Sequence, residues 1–476
     1  MNIGGLDIGT TGCKLTVYNE DGRLLATAYR DYPVSRSTSA HEINPDDIWN
    51  SVKTVTEELT KSLKIDAMGV TSFGESFAAV DENGAVLFPA MLYTDPRGSE
   101  QASRFPKRKT EEICGVTPDK MFSLPKLMWL KENRADIFKK IRRVLLMQDF
   151  IVYRLCGTAQ IDCSLASRTM AFDIHKREWS NSILDAAGID KNLFSTPVPS
   201  GTPAGKSDIC GLSGCTIVSG CHDQIASAIG AGAKEIGDAV DGMGTVECIT
   251  PVFGEIPTDR AFISDGYSVL PFTNGLFACY ALSFCCGALT DWFRKELAAG
   301  SAHTTLEAKV NPNEPGEIMV LPHFAGAATP YMDECSKGAI VNLTLSSTKE
   351  DIYRAILEST SYEMLINIKR MERSGIHISS LAATGGGAKS DAWLQLKANI
   401  TGLEITTTEA NEVGALGTAM LAAAACGVFK DISSAQAAMI KPSRVFVPNK
   451  EAHEKFMKVF SRYEKLYNAV RPLTEE

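Results

Sequence analysis

The sequence predicts an α/β protein that is built from two or three domains. Its 476 residues are more than one ordinary hydrophobic core accommodates. Segments with the alternating pattern of strands are interleaved with segments of helical periodicity along the chain. A short apolar run that ends in a turn of glycine and threonine occurs at the start and again near the middle. A duplicated domain explains this recurrence, and chance recurrence of such a turn is the alternative.

The composition narrows the function classes and the location. Hydrophobic residues make up 44% and charged residues 22% of the chain, which is typical of a soluble globular protein. The net charge of −9 argues against a nucleic-acid partner, so that an anionic substrate such as ATP requires local amides, lysines or magnesium. The N-terminus has no signal-peptide pattern. Thirteen cysteines without a C-x-x-C pair indicate reduced thiols and a cytoplasmic protein.

The longest uncharged stretch, residues 266–290, has the length of a membrane span. It contains Pro271 and an Asn274-Gly275 pair between two apolar runs. Because Asn-Gly is a strong hairpin signal, we expect a hairpin here and no membrane partner.

The first 28 residues predict strand, turn, strand, turn and strand. The first turn comprises Gly9, Thr10, Thr11 and Gly12, and Lys14 follows it closely. Its backbone N–H groups, its two hydroxyls and the lysine are the parts of a phosphate site, and Asp7 beside them is placed to hold magnesium directly or through water. A hairpin with an ordinary glycine turn is the alternative interpretation.

The middle of the chain mixes strands and helices. Strands are predicted at residues 68–72 and 78–80, a helical region at about 107–155, and a short buried strand at 217–220. Residues 236–245 again bring an apolar strand into a Gly/Thr turn, which contains Gly244 and Thr245.

The remaining sequence shows clearer α/β alternation. A capping box of Ser347 and Glu350 predicts a helix to about residue 374. A buried strand at 381–384 leads into Gly385, Gly386, Gly387 and Ala388, and Ser390 caps the next helix. Strand, glycines and capped helix suit a nucleotide, since the glycines admit the ligand and a helix N-terminus favours phosphate. A strand at 404–408 precedes a helix at 412–426, whose small residues suit either close packing or a ligand.

Three further segments carry candidate chemistry. Asp223 follows the strand at 217–220, so it is a candidate general base, and a helix N-cap is the alternative. Asp95 and Arg97 flank a proline, where Asp95 could accept hydrogen bonds from substrate hydroxyls and Arg97 anchor the loop, or both could form a salt bridge in a surface turn. Glu75 follows a strand and is either a hydroxyl acceptor or a solvated loop residue.

Together these segments resemble the FGGY carbohydrate kinases of the actin-like ATPase and sugar kinase superfamily, and xylulose kinase-like members in particular. The order of the segments from residue 3 to about 430 is more specific than any one of them. The matching segments are Asp7-x-Gly9-Thr10-Thr11, Asp95-x-Arg97, Lys126-Leu127-x-Trp129-Leu130, His222-Asp223-Gln224, Gly242-x-Gly244-Thr245, Leu321-Pro322-x-Phe324-x-Gly326-x-x-Thr329-Pro330, Gly385-Gly386-Gly387-Ala388-Lys389-Ser390, Trp393-x-Gln395 and Glu412-x-x-Ala415-x-Gly417.

The resemblance implies two actin-like (ribonuclease H-like) domains, each a mixed β-sheet flanked by helices, with a cleft for ATP and sugar between them. Residues 1–244 would form the N-terminal domain, with the sugar site, the first phosphate loop and the base. Residues 245–476 would form the C-terminal domain, with the second phosphate loop and the adenosine site.

The resemblance also implies roles for single residues. The reaction would be ATP-dependent phosphorylation of a hydroxyl of a small ketose, a pentulose or a hexulose, with Asp223 as base and Asp7 as the magnesium-organising acid. The sugar pocket would contain Glu75, Asp95, Arg97 and Gln224. The first phosphate site would contain Gly9, Thr10, Thr11 and Lys14, the second Gly244 and Thr245, and the adenosine site Gly385, Gly386, Gly387 and Ala388.

Several departures leave the substrate open. The segment Gly74-Glu75-Ser76 is neither the Gln-Met-His of typical xylulose kinases nor the Arg-Glu-Thr of glycerol kinases, and Val246 replaces a small hydroxyl residue. A polyol such as glycerol or erythritol is therefore an alternative substrate, although the missing arginine at Gly74 argues against glycerol itself. A catalytically idle sugar-binding regulator is a further alternative, against which the presence of Asp7, Asp223 and Gly244-Thr245 argues. The oligomeric state, a homodimer included, also stays open.

Overall fold

The computed structural model describes residues 1–474 and separates the chain into two compact units. Neither unit is one continuous stretch of sequence. The first contains Met1–Lys234, Ser268–Ala278 and Glu412–Lys441, and the second contains Glu235–Tyr267, Cys279–Asn411 and the described residues from Pro442 onwards. Segments of the two units alternate along the chain. The division of the chain into two domains at residue 244 stays a prediction.

Strands and helices alternate in residues 1–234, as the sequence pattern predicts. The strands are β1 (Ile3–Ile8), β2 (Gly12–Tyr18), β3 (Leu24–Asp31), β4 (Val34–Arg36), β5 (His41–Ile43), β6 (Ala67–Ser72), β7 (Phe77–Val80), β8 (Val86–Phe88), β9 (Ala90–Met91), β10 (Arg143–Leu146), β11 (Gln160–Asp162), β12 (Phe172–Asp173), β13 (Glu178–Trp179), β14 (Thr196–Val198), β15 (Thr202–Ser207) and β16 (Cys215–His222). The helices are α1 (Pro45–Thr60), α2 (Ser99–Ser103), α3 (Lys107–Cys114), α4 (Ser123–Asn133), α5 (Ala135–Phe138), α6 (Met147–Cys156), α7 (Cys163–Ser167), α8 (Asn181–Ala187) and α9 (Asp223–Gly230).

The same alternation continues to residue 474. The strands are β17 (Asp238–Met243), β18 (Glu247–Phe253), β19 (Val269–Pro271), β20 (Phe277–Cys279), β21 (Ala281–Ser283), β22 (Met319–Leu321), β23 (Ala339–Val341), β24 (Ser380–Thr384), β25 (Ile405–Thr408) and β26 (Pro442–Phe446). The helices are α10 (Arg260–Ser264), α11 (Gly287–Glu296), α12 (His303–Glu307), α13 (Lys349–Arg373), α14 (Asp391–Thr401), α15 (Val413–Ala425), α16 (Ile432–Met439), α17 (Lys450–Tyr463) and α18 (Leu466–Val470).

The first unit is organised by a six-stranded mixed sheet in the order β15-β16-β6-β1-β2-β3. Strands β16, β6 and β1 run parallel, and β2 returns antiparallel to β1. Helix α1 begins at Pro45, where the Asn44 side chain accepts a hydrogen bond from the backbone N–H of Asp46. Its buried positions, including Ile48, Val52 and Val55, recur at the helical period and belong to the same hydrophobic core as the sheet residues.

The second unit repeats this topology. Strand β17 pairs antiparallel with β18 and parallel with β24, which pairs parallel with β25, and β26 lies antiparallel to β25. The order β18-β17-β24-β25-β26 thus corresponds to β2-β1-β6-β16-β15 of the first unit. The duplication that the two Gly/Thr turns indicate is therefore present in the fold, with mixed sheets flanked by helices in each unit.

Local predictions differ from the structure at two places. The helical region predicted at 107–155 is interrupted by β10, which pairs antiparallel with β7. The capping box of α13 is formed by Thr348 and Asp351, one residue later than the predicted pair, because Thr348 is the residue whose side chain reaches the N–H of the third helical position.

The apolar stretch at residues 266–290 forms the predicted hairpin between β19 and β20. Asn274 and Gly275 have φ values of 56° and 84°, in the left-handed region that such a turn requires. Among residues 1–474, no helix combines the length and the apolar character that crossing a membrane demands.

Candidate active site

The turn between β1 and β2 is a tight loop that leaves its threonines accessible. The N–H of Gly9 donates to the carbonyl of Gly12 at 2.9 Å, and the N–H of Tyr32 donates to the carbonyl of Thr11 at 3.2 Å. A Cβ atom at Gly12 would lie 2.3 Å from the Tyr29 hydroxyl, so a larger residue there would displace the Tyr29 side chain. Within residues 1–474, neither the Thr10 nor the Thr11 hydroxyl has a hydrogen-bond partner. These hydroxyls are free for a ligand.

Asp7 lies half-buried near the end of β1. Burial and the nearby Glu412 carboxylate raise its pKa to about 6, against the opposing effect of Lys14. Lys14, predicted to contact phosphate, forms an ion pair with Glu412 in which Nζ and Oε1 are 2.8 Å apart. A Cβ atom at position 414 would lie 3.3 Å from Asp7 Oδ2, so Gly414 leaves room for the carboxylate. Asp7 is therefore an acid whose charge the surrounding protein compensates poorly.

Asp223 is the first residue of α9, directly after β16. Burial and the Asp7 and Glu75 carboxylates raise its pKa to about 8, while the Gln224 N–H and the Arg168 guanidinium lower it. The structure thus brings Asp7, Glu75 and Asp223, three separately predicted residues, into one electrostatic neighbourhood.

The N-cap of α9 is His222, one residue earlier than the alternative interpretation of Asp223 requires. Its Nδ1 accepts a hydrogen bond from the N–H of Gln224 at 3.3 Å, and its own N–H donates to the Ser164 hydroxyl at 2.9 Å. The same N–H of Gln224 donates to Asp223 Oδ1 at 2.6 Å. Capping therefore does not by itself account for an aspartate at position 223.

Glu75 is buried, so the interpretation as a solvated loop residue is wrong. Its backbone has a φ of 66°, and its carbonyl accepts a hydrogen bond from the Ser123 hydroxyl at 2.6 Å. Its Oε1 lies 2.6 Å from both Nε and Nη2 of Arg168. A buried acid in a left-handed conformation is unusual and indicates a position fixed by its surroundings.

Asp95 and Arg97 form the salt bridge of the alternative interpretation, but Asp95 is buried rather than at the surface. Asp95 Oδ1 accepts from the N–H and Nε of Arg97, and Oδ2 accepts from Arg97 Nη2 and from the N–H of His41. Although burial opposes the change, these bonds hold the pKa of Asp95 below its ordinary value. A sugar contact by Asp95 stays a prediction.

The second unit contains a cavity of about 590 Å³ that brings together its predicted ligand residues. Gly244, Thr245, Gly386 and Gly387 line it, although 140 residues of chain lie between the two pairs. Further lining residues, not singled out by sequence reasoning as ligand contacts, are Thr290, Asp291, His303, Glu307, Tyr353, Lys389 and Trp393.

The three consecutive glycines play different parts. Gly385 has a φ of 85°, and a Cβ atom there would lie 2.7 Å from the carbonyl oxygen of Met243, so it packs against the second Gly/Thr turn. Gly386 faces open space, with nothing within 4 Å of a Cβ position. Ala388 is buried and does not line the cavity; its carbonyl accepts a hydrogen bond from Arg444 Nη2 at 2.6 Å.

The small residues of α15 serve close packing within the first unit. A Cβ atom at Gly417 would lie 2.0 Å from the carbonyl oxygen of Ala226 in α9, and one at Gly230 would lie 1.8 Å from that of Val413. Helices α9 and α15 therefore approach at backbone distance, which places α15 beside the helix that carries Asp223.

Sequence reasoning did not identify three charged residues near Asp7 and Glu75 as part of the site. Arg168 gave no local signal, because its partner is distant in sequence. Lys126 and Glu412 belong to matched motifs but had no assigned role. Lys126 is fully buried and donates to the carbonyl of Met121 at 2.6 Å, and burial lowers its pKa to about 8 despite the opposing charges of Glu75 and Asp95.

The residues near Asp7 fit a magnesium ion that arrives with a nucleotide. Across residues 1–474, no group of three histidine, cysteine or acidic side chains forms a metal cage. Magnesium commonly takes one or two carboxylates together with water and phosphate oxygens. Burial and the Glu412 carboxylate raise the pKa of Asp7, and burial and the Asp7 carboxylate raise the pKa of Asp223; a nearby cation would oppose both shifts.

Known proteins resemble this chain along nearly its whole length. It is 26% identical over 489 residues to a xylulose kinase of Bacillus subtilis, which covers 98% of this chain and 97% of that protein. It is 29% identical over 477 residues to glycerol kinase 2 of Saccharolobus solfataricus, with 94% of both chains covered. The solved structure of ligand-bound xylulose kinase from Lactobacillus acidophilus matches with a TM-score of 0.91 at 22% identity, covering 99% of this chain and 98% of that one.

Two family models match in the order that the duplicated fold requires. The N-terminal domain of the FGGY family of carbohydrate kinases matches residues 2–230, and the C-terminal domain matches residues 250–426. With its two actin-like mixed sheets, the chain therefore belongs to the FGGY family of carbohydrate kinases and is an ATP-dependent sugar kinase.

Proposed function

We propose that this enzyme transfers the γ-phosphoryl group of ATP to a hydroxyl of a small ketose, a pentulose or a hexulose, with Asp223 as the general base. The observation that carries the proposal is the position of Asp223 at the end of β16, with a pKa raised to about 8. A carboxylate of that pKa is far more basic than an ordinary aspartate. Removal of the hydroxyl proton by a positioned base contributes about 10²–10⁴-fold to rate.

The accepting sugar would be held by Glu75 and Gln224, with Asp95 and Arg97 in support. One oxygen of Glu75 is occupied by Arg168, and within residues 1–474 its Oε2 accepts no hydrogen bond from the protein. That oxygen can accept a hydrogen bond from a sugar hydroxyl. Phosphoryl transfer depends mainly on positioning and charge stabilisation, which such contacts supply.

The nucleotide would be held by two sets of groups. Gly9, Thr10, Thr11 and Lys14 would contact phosphate in the N-terminal domain, proposed as residues 1–244. In the C-terminal domain, proposed as residues 245–476, the groups that line the 590 Å³ cavity would bind the rest of the nucleotide. They include Gly244 and Thr245 for phosphate and Gly386 and Gly387 for adenosine, supported by Gly385 and Ala388 behind them.

Magnesium would be held by Asp7 together with the phosphate oxygens of ATP. When bound, the ion neutralises charge that develops on the phosphoryl group. Asp7 also acts on Asp223 electrostatically, since its charge raises the pKa of the proposed base. The carboxylate of Asp223 then takes the proton as the sugar oxygen attacks phosphorus.

The similarity of this chain to xylulose kinases supports a ketose as the acceptor. A polyol such as glycerol is the second candidate, because a glycerol kinase relative is 29% identical and Glu75 aligns with the glutamate of the Arg-Glu-Thr pattern.

The proposal is tested by measuring ADP formation from Mg-ATP with D-xylulose, L-xylulose, D-ribulose, D-fructose, glycerol and erythritol. We expect at least one ketose to give the highest kcat/KM. A higher kcat/KM with glycerol or erythritol selects the second candidate, and sugar binding without any phosphorylated product contradicts both.

A further inference from the structure

Arg168 occupies the space that a side chain at position 74 would need. A Cβ atom at Gly74 would lie 3.0 Å from Cγ and 3.1 Å from Cβ of Arg168, and 3.1 Å from Cδ2 of His222. Arg168 follows α7, almost a hundred residues further along the chain. Glycine at position 74 therefore leaves room for the Arg168 side chain to pack beside it.

The Arg168 side chain is tightly held. It is 4% exposed, its guanidinium carbon lies 5.1 Å from the centre of the Phe122 ring, and Nε and Nη2 both lie 2.6 Å from Glu75 Oε1. Because Nε donates to Oε1 and Nη2 lies equally close to the same oxygen, the other oxygen of the Glu75 carboxylate is held in a fixed direction. Glu75 is thus oriented by a residue that a linear motif does not contain.

We propose that Arg168 is the positioning residue of the sugar site, and that it fixes Glu75 to accept a hydroxyl of an uncharged sugar. This inference rests on the proposed function. Gly74, Glu75, Lys126, Arg168 and His222 are called the Glu75 cluster below.

The charges around the cluster favour an uncharged substrate. Arg168 is paired with Glu75 and Arg97 with Asp95, and the third cation, Lys126, is fully buried and donates to the carbonyl of Met121. Asp7, whose pKa is raised to about 6, adds negative charge that acts on Asp223. Each of these three cations already has a protein acceptor, and the carboxylate of a sugar acid would be repelled by the neighbouring acids.

The substrate preference follows directly and is measured on the wild-type enzyme. We expect phosphorylation of a ketose to exceed that of the aldonate of equal carbon number by about 100-fold or more in kcat/KM, as for a buried uncompensated charge. D-xylulose is compared with D-xylonate, and D-fructose with D-gluconate. A preference for an aldonate overturns the inference and leaves the kinase activity intact, whereas no product from any acceptor overturns the proposed function itself.

The role of Arg168 is tested by a double-mutant cycle of Arg168→Met, Glu75→Gln and both together. If Arg168 acts through Glu75, Arg168→Met raises the KM for the best ketose by about 10-fold or more, the loss of a charge-assisted hydrogen bond. It leaves the KM for ATP within about twofold. In the Glu75→Gln background the same change has little further effect. Additive effects on KM, or an equal rise of both KM values, overturn the proposal.

Arg168→Met leaves the Glu75 carboxylate buried without its partner, and this variant could fail to fold. In that case Glu75→Gln is compared with the double variant, in which both charges are absent. Loss of Arg168 also removes a positive charge that lowers the pKa of Asp223, so the ascending limb of the pH–kcat profile shifts to higher pH. The control is Arg177→Met, on the neighbouring loop and outside the Glu75 cluster, for which we expect unchanged KM values and an unshifted limb.

Discussion

The two hairpins β1–β2 and β17–β18 have the same topology, but their acidic side chains differ in how fully a lysine neutralises them. In the first unit Asp7 is half-buried, makes no hydrogen bond with a protein donor within residues 1–474, and lies near a lysine that pairs with Glu412. In the second unit Asp241 and Glu247 are fully buried around Lys397, whose Nζ lies 2.5 Å from Asp241 Oδ2.

The difference arises from one step in strand register. Asp7 lies opposite Lys14, one pair from the last pair of its hairpin, and the corresponding position of the second hairpin is Gly242. Asp241 is one residue further from the turn and points to the other face, since side chains alternate along a strand. Adjacent positions on opposite faces of two equivalent strands thus present an acid for chemistry in one unit and an acid for structure in the other.

The largest effect is expected from removal of the first unit's base. Asp223→Ala should lower kcat by about 10²–10⁴-fold, because the accepting hydroxyl loses its proton acceptor, while sugar affinity changes modestly. The measurement is steady-state turnover together with calorimetric sugar binding. Near-normal turnover would show that another group is the base.

The two lysines beside the hairpins provide a matched comparison of stability. Lys397→Met leaves Asp241 and Glu247 buried without a cation, and we expect a loss of about 3–5 kcal/mol in the free energy of unfolding. Lys14→Met breaks a half-exposed pair with Glu412 and should cost no more than about 1 kcal/mol. Urea denaturation of both variants measures the difference. Equal losses would mean that the two hairpins are not electrostatically distinct.

The glycines of the second unit separate ligand contact from packing. Gly386→Val places a branched side chain in open space beside the cavity, so ATP affinity should fall by roughly tenfold or more, as expected for a blocked site, with little change in melting temperature. Gly385→Val meets the Met243 carbonyl and a positive φ, so both affinity and melting temperature should fall. Unchanged ATP affinity in Gly386→Val would remove that glycine from the nucleotide site.

The pH dependence of the enzyme tests the state of Asp223. Its pKa is raised to about 8, and the base acts as carboxylate, so kcat/KM should rise with pH and level off above the apparent pKa. Bound magnesium favours the carboxylate and moves the apparent value below 8 at saturating Mg-ATP. A profile without an ascending limb between about pH 5 and 8 contradicts this assignment.

The raised pKa of Asp223 also has an expected effect on stability. Because the folded pKa of Asp223 lies above its ordinary value of 3.8, its contribution is fully present at low pH and is lost as the pH rises towards about 8. Asp223→Asn removes this loss, so at pH 8 the variant should have a higher melting temperature than the wild type. The difference should be roughly 2–4 °C for each kcal/mol gained in the free energy of unfolding. At pH 4 the two melting temperatures should converge. A lower melting temperature of the variant at pH 8 would contradict a raised pKa.

Local elements were predictable where the signal lies within a few residues. The strands around Gly9, the Asn274-Gly275 turn and the Ser390 cap were confirmed. Strand β10 was missed because its partner β7 is more than sixty residues away in sequence. The capping box was displaced by one residue because Ser347 and Thr348 have equivalent side chains, and only the backbone geometry selects between them.

The site was predictable in its motifs but not in its pairings. Asp7, Glu75 and Asp223 were singled out from the sequence, and the structure brings them together. Arg168 was not, since no spacing rule links it to Glu75 across almost a hundred residues.

The sequence by itself determined the duplicated α/β fold, the kinase family and the candidate acids, because periodicity, turns and motifs are local properties of the chain. Only the tertiary structure decided the charge state of those acids. Burial and neighbouring charges determine whether Asp7 is available for a cation. In the second unit, the neighbouring charge of Lys397 instead holds Asp241 in a buried ion pair. Those neighbours are contributed by distant segments, and folding alone brings them into contact.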